Sequence, residues 1–344
     1  MGTDLTSNLS TIWAVIIFFG VFMYVVMDGF DLGIGMLFPF VPDRHERDVM
    51  MNTVAPVWDG NETWLVLGGA ALFAAFPRAY AIILSALYLP LIFMLLGLIF
   101  RGVAFEFRFK ALDHERPVWD LAFIGGSVTA AFFQGVALGT YVHGIALVAT
   151  ATGPQFAGGA FDWLAPFPLM CGVGVMAAYT LLGCTWLIFR TEGPLQRRML
   201  TTARPLALLL VVAIVAVSIW TPLADADVAA RWFTWPGMLW FAPVPILVVA
   251  GVILLLRSLA GAAPHHGPFM ASLGLIFLGY TGLAISIWPN IVPPTLSIWA
   301  AASPPASQGF ALVGTLFILP FVLGYSCFSY YVFRGKVKLG EGYH

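Results

Sequence analysis

Apolar residues fill this chain in runs of about 20, the length a helix needs to cross a bilayer core, and polar residues gather in short segments between them. The runs lie at 11–38, 53–75, 79–100, 121–142, 165–189, 205–223, 238–256, 269–289 and 309–333. That pattern predicts an all-α, polytopic integral membrane protein: one transmembrane domain over 1–344 with nine transmembrane helices. The sixth run ends at "TPLADAD". The seventh carries Pro243 and Pro245 in its first turns, where a missing amide hydrogen costs least. The longest connections, 141–163 and 290–308, are rich in Gly and Pro and are expected outside the membrane.

Charge orients this threading. Of the 16 Lys and Arg residues, nine spans place only Arg78 and Arg231 on the side of the N-terminus and the other 14 on the opposite side. Because cytoplasmic loops collect the basic residues, the N-terminus is expected outside and the C-terminus in the cytoplasm. An eight-helix threading would scramble the asymmetry. No Lys or Arg precedes the first run and no small-residue cleavage site stands out, so that run is expected to stay as a helix.

Composition agrees with the pattern: 60% of the 344 residues are hydrophobic and 10% charged, against roughly 25% charged in a soluble globular chain. A net charge of −1 without a basic run leaves nothing to bind phosphates, which argues against nucleic acid as a partner. The three cysteines, Cys171, Cys184 and Cys327, sit in apolar runs without paired spacing and read as small buried hydrophobes.

Against this background the carboxylates inside the runs stand out. The first run ends in "VVMDGFDLGIG", which places Asp28 and Asp31 three residues apart, on one face of a helix. Counted from Thr11 at about 1.5 Å per residue, they lie roughly 25 and 30 Å down, near the cytoplasmic edge of a core about 30 Å thick. The second run opens with "APVWDGNETW". Counted back from Arg78, Asp59 lies roughly 29 Å deep and Glu62 roughly 24 Å, with Asn61 and Trp64 on the neighbouring face and Trp58 beside them. Arg101, expected to end the third helix, reaches the same depth as the counter-charge for all four acids. Carboxylates at a wet membrane edge cost only about 0–1 kcal/mol, against about 2.5–3.5 at the centre, so a lone Asp31 needs no function. Four acids converging with one arginine are different, because like charges in one site must share protons or counter-ions.

Redox ligands are missing from the pattern. Of six histidines, His45, His114, His265, His266 and His344 fall in loops or the tail, and His143 sits alone at the outer end of the fourth run. No cofactor bound by this chain alone is expected, neither haem nor metal.

The motifs "DGFDLGIG", "NTVAPVWDGNETWLVLGGAALFAAFP" (52–77) and the arginine of "FRGVAFEFR" resemble subunit II of the cytochrome bd-type quinol oxidases, including the cyanide-insensitive branch. With the nine-helix order, the resemblance covers essentially the whole chain. That family often has Gln in place of Glu62, and "WDA" where this chain reads "WAAASPP" (299–305). The resemblance implies a non-haem subunit of the bacterial inner membrane that packs as a heterodimer on subunit I. Subunit I would hold the haems, two b-type and one d-type or a third b-type, and would oxidise quinol. The resemblance also leaves room for a small single-helix subunit and surrounding lipid. It implies that Asp59, with Asp28 and Trp58, helps line a proton route from the cytoplasm, and that Trp64 lies near an oxygen path. Two other classes remain open at this point. A secondary transporter or proton-coupled channel would place its acids at the midplane on broken helices. A purely structural scaffold would make the acids dispensable.

Overall fold

The structure, a computed structural model, describes residues 2–151, 153–262 and 265–337, so the expectations for Met1 and His344 lie outside the described residues. The chain is almost wholly helical. In order it forms α1 (Gly2–Leu37), the short amphipathic α2 (Arg44–Asn52), α3 (Trp58–Ala75), α4 (Pro77–Lys110), α5 (Arg116–His143) and the hairpin β1 (Leu147–Thr150) and β2 (Gly153–Phe156). There follow α6 (Pro166–Arg190), α7 (Gly193–Ala224), α8 (Ala226–Phe233), α9 (Gly237–Phe241), α10 (Pro243–Arg257) and α11 (Gly267–Ile287). A second small hairpin, β3 (Asn290–Val292) with β4 (Leu296–Ser297), and the single turn α12 (Ile298–Ala301) lead to α13 (Pro305–Val332).

Prolines mark many of the starts. Pro77, Pro166, Pro243 and Pro305 open their helices, where a fixed φ is preorganised and no hydrogen bond is lost. Asp43 caps α2 by accepting a hydrogen bond from the His45 amide (2.8 Å), and Asp225 caps α8 from the Asp227 and Val228 amides. In α2, Val49, Met50 and Met51 are buried while Arg44 and His45 are exposed, so this helix lies against the bundle rather than through it.

Eight helical segments among the described residues are long and apolar enough to cross a membrane. The expected second span is not one of the eight. It begins only at Trp58, because 53–57 form a turn through Pro56, and α3 carries Asp59 and Glu62 in its first turns. The third helix also departs from its expected end. It does not stop at Arg101 but runs on to Lys110, because Ala104, Phe105 and Arg108 continue its buried face past the end of the purely apolar run. α7 likewise starts at Gly193, ahead of the expected 205, and carries Pro205 inside.

What gathers the helices is backbone contact through small residues, the usual device where burying oily surface gains nothing against lipid. A methyl group at Gly33 of α1 would lie 1.9 Å from the Tyr179 carbonyl oxygen, and one at Gly183 of α6 would lie 2.6 Å from the Gly33 carbonyl carbon. Gly97 of α4 and Gly126 of α5 meet the same way, each methyl falling 2.6 Å from the other helix's backbone. α1 and α6 thus touch main chain to main chain, as do α4 and α5, while α13 stands at the margin, packed mainly on α1 and α3. Gly33→Ala should therefore push α1 off α6. We expect a loss at or above the upper end of the about 1–3 kcal/mol typical of overpacking, measured as a lower thermal midpoint of the purified protein.

Candidate functional site

Close packing of α1 against α6, and of α4 against α5, draws polar side chains from α1, α3 and α4 into one buried cluster. Asp28 is 1% exposed and Arg101 fully buried, with Arg101 Nη2 2.8 Å from Asp28 Oδ1. Glu62 approaches the same nitrogen at 3.6 Å from a half-buried position, its side chain 28% exposed. The guanidinium lies over Trp58, 5.5 Å from the ring centroid, and Trp58 in turn stacks on Phe105 at 5.0 Å with the planes 6° apart. A buried cation thus has one buried anion, one anion at the rim and an aromatic face.

Asp31 is also buried but stands apart from the arginine. Its Oδ2 accepts a hydrogen bond from Asn61 Nδ2 at 2.8 Å, and the same nitrogen donates to the Met27 carbonyl at 3.2 Å. The Tyr330 hydroxyl of α13 donates to Asn61 Oδ1 at 2.9 Å. Trp64 is fully buried, edge-on to Phe19 with centroids 5.7 Å apart, and its indole N–H has no hydrogen-bond partner among the described residues.

Asp59 does not join this cluster. It is exposed in the first turn of α3, where the helix dipole favours an anion, and makes no ion pair among the described residues. The expectation that Arg101 serves all four acids is corrected accordingly: the arginine takes Asp28 and Glu62, Asp31 has an amide, and Asp59 faces outward. The physical reason is that i and i+3 on a helix differ by about 60°, enough for the edge of a buried face to pass between them.

Two features escaped the sequence reading. The first is a string of neutral groups behind Asp28. Tyr179 donates to Gln134 Oε1 (2.8 Å), and Gln134 Nε2 donates to the hydroxyl of Tyr24, one turn before Asp28 on α1 (2.6 Å). Gly29 makes room for it, since a methyl there would lie 2.8 Å from the Tyr179 ring. The second is a cationic knot near the α2 end of the bundle. Asp120 of α5 binds Arg47 at 2.7 Å and also pairs with Arg108, while Asp48 binds Arg108 at 2.6 Å and lies 3.9 Å from Arg116. Arg47 and Arg108 both lie over Phe38. The signal was present in the sequence: Asp120 is a carboxylate in an otherwise apolar first stretch, and α2 has an amphipathic pattern.

No group of three His, Cys, Asp or Glu side chains among the described residues is arranged to hold a metal ion. His143 packs its ring on Phe167, with centroids 5.9 Å apart. This donor set does not fit a pair of axial haem ligands.

A multi-pass helical membrane protein with a buried carboxylate–arginine site is the class that fold and site define. The chain belongs to the cytochrome bd terminal oxidase subunit II family, whose pattern it matches over residues 9–333. It is 31% identical to the cytochrome bd ubiquinol oxidase subunit 2 of Bacillus subtilis, over 97% of this chain and 98% of that protein. It is 30% identical to the cytochrome bd-I ubiquinol oxidase subunit 2 of Escherichia coli K12, over 96% of this chain and 95% of that one. Among solved structures, the bd oxidase from Geobacillus thermodenitrificans has the same fold, with a TM-score of 0.78, 15% identity and coverage of 95% of this chain and 99% of that chain. Relatives of this family are subunits of an oxidoreductase complex, and this chain is a membrane-embedded member of it.

Proposed function

We propose that this chain is the non-haem subunit of a quinol-oxidising, oxygen-reducing complex in the bacterial cytoplasmic membrane, and that it conducts protons from the cytoplasm toward the partner's oxygen-reducing site. One observation carries the reading: the carboxylates step inward from exposed Asp59, through half-exposed Glu62, to the fully buried Asp28–Arg101 pair. Such a gradient of exposure is what a proton entrance needs, because each carboxylate can exchange with the next while only the outer two meet water. Trp58 holds the guanidinium in place and Asn61 holds Asp31. Trp64 borders an oxygen path in this reading.

The haems and the quinol site are assigned to subunit I in this reading, which the family resemblance supports. A small single-helix subunit and lipid complete the assembly. Nine spans are part of the proposal, α3 being the short one, with the N-terminus outside and the C-terminus in the cytoplasm. The support is the charge distribution, with 14 of 16 basic residues on one side of that threading. Reporter fusions test it: a cytoplasmic reporter is expected to be silent at Gly153 and active at the C-terminus, and the reverse at either position would overturn the threading.

Co-purification from the native membrane followed by an absorption spectrum tests the function. Haem bands are expected in the complex with the partner. This chain, folded alone, is expected to show no Soret band. A Soret band in the isolated chain that disappears on replacing His143 would contradict the assignment.

A further inference from the structure

Asp31 is the acid of this cluster that the arginine does not reach. Arg101 pairs with Asp28 and approaches Glu62, and no Lys, Arg or His among the described residues lies within 4.0 Å of Asp31, which is 0% exposed. Its surroundings come from three helices: Asp28 on its own α1, Glu62 and Asn61 of α3, and Tyr330 of α13, with Arg101 of α4 beyond Asp28. Of these only Asn61 bonds it, and Asn61 is neutral.

The orientation of that amide follows from the backbone. The carbonyl oxygen of Met27 can only accept, so the Asn61 atom facing it at 3.2 Å is the nitrogen, and the same nitrogen faces Asp31 Oδ2 at 2.8 Å. Asn61 Oδ1 then takes the Tyr330 hydroxyl at 2.9 Å. Tyr330 stays in reach because the end of α13 is tied to α6. Arg190 Nη2 donates to the Phe333 carbonyl at 2.5 Å, the Val337 amide donates to the Arg190 carbonyl at 2.9 Å, and Lys336 Nζ donates to the Thr191 carbonyl at 2.8 Å. Asp31 Oδ2 is therefore fixed as an acceptor, while Oδ1 has no partner among the described residues.

We infer that Asp31 rests as the neutral carboxylic acid, with its proton on Oδ1 and its carbonyl oxygen Oδ2 held by Asn61. A buried carboxylate without a cation or several donors is expelled from its charged form, whereas the acid sheds the buried charge and keeps the Asn61 bond, leaving only its own hydroxyl to be satisfied. Asp28 is the contrasting case, an anion balanced by Arg101. The site thus holds one stored proton and one fixed ion pair side by side. The location of the proton stands on geometry; its use during turnover rests on the proton route proposed above.

Infrared difference spectroscopy of the resting complex, purified with its partner subunits, tests this directly. Subtracting Asp31→Asn from wild type should reveal loss of the C=O stretch of a buried carboxylic acid, with the carboxylate bands unchanged. Asp31→Glu should shift that band instead of removing it, and keeps the test decisive if the asparagine variant fails to assemble. Asp28→Glu should leave it in place. Loss of carboxylate bands in Asp31→Asn, or a C=O band that neither Asp31 variant alters, would overturn the assignment. The band is read without turnover, so its loss together with wild-type oxygen uptake would uphold the stored proton and remove only its use in the proton route.

Discussion

Arg101→Met is expected to abolish assembly of the complex rather than slow it. The guanidinium is fully buried, and removing it strands the Asp28 carboxylate at 1% exposure with no other cation paired to it among the described residues. Breaking a buried pair from one side costs about 3–5 kcal/mol, a large share of what holds any protein together. Asp28→Asn should resemble it in kind, because Glu62 at 3.6 Å and half-exposed is a poor substitute partner for the arginine. The pair can also be removed whole. Asp28→Leu with Arg101→Met replaces both charges by apolar side chains of similar bulk, a change that is often neutral or stabilising where the halves are not. The double variant should regain much of the assembly lost in Arg101→Met, giving a coupling of at least about 1 kcal/mol in thermal or denaturant midpoints. Its turnover per haem should stay low if Asp28 is on the proton route. Stability losses in the singles that simply add in the double would mean that the two charges do not act as a pair.

How far the site could be read from the chain depends on the kind of signal. Carboxylates inside apolar runs are conspicuous because lipid would solvate neither, so Asp28, Asp31 and Glu62 announced themselves, as did the need to bury them. Arg101 was found but misplaced at a helix end, since hydropathy falls at "FRGVAFEFR" although the buried face of α4 continues through Phe105 to Arg108. Asp59 was read with Glu62 as a shared face, and only the packing of α3 shows that the boundary of the buried surface falls between them. Beyond Asn61, the neutral partners left no trace. The bonds of Gln134 to Tyr24 and Tyr179 span 110 and 45 residues, and a Gln in an apolar helix has no spacing rule that points to either. The glycines were visible in the chain, but only the structure shows that Gly33 and Gly183 set two backbones in contact. Eight of the nine expected runs coincide with helices long and apolar enough to cross a membrane among the described residues, and the second does not, because Pro56 and two acids shorten it.

The sharper prediction concerns Asp59, because its exposure separates two roles that burial would have confounded. An exposed carboxylate without an ion pair can be changed to its amide at little cost in stability, so Asp59→Asn should give a complex with normal yield and intact haems. What the amide cannot do is take up and release a proton. If Asp59 is the outermost carboxylate of the route, turnover should fall about tenfold or more, which corresponds to about 1.4 kcal/mol or more on the rate-limiting barrier. Glu62→Gln should slow turnover in the same way. The double variant should be little worse than either single one, because groups in series on one path do not add. The most direct test of the proton route is therefore quinol-driven oxygen uptake per haem in the assembled Asp59→Asn complex. A rate well below wild type in a fully assembled enzyme is the predicted result; a wild-type rate per haem would contradict it and leave the acids as packing and charge-pairing residues.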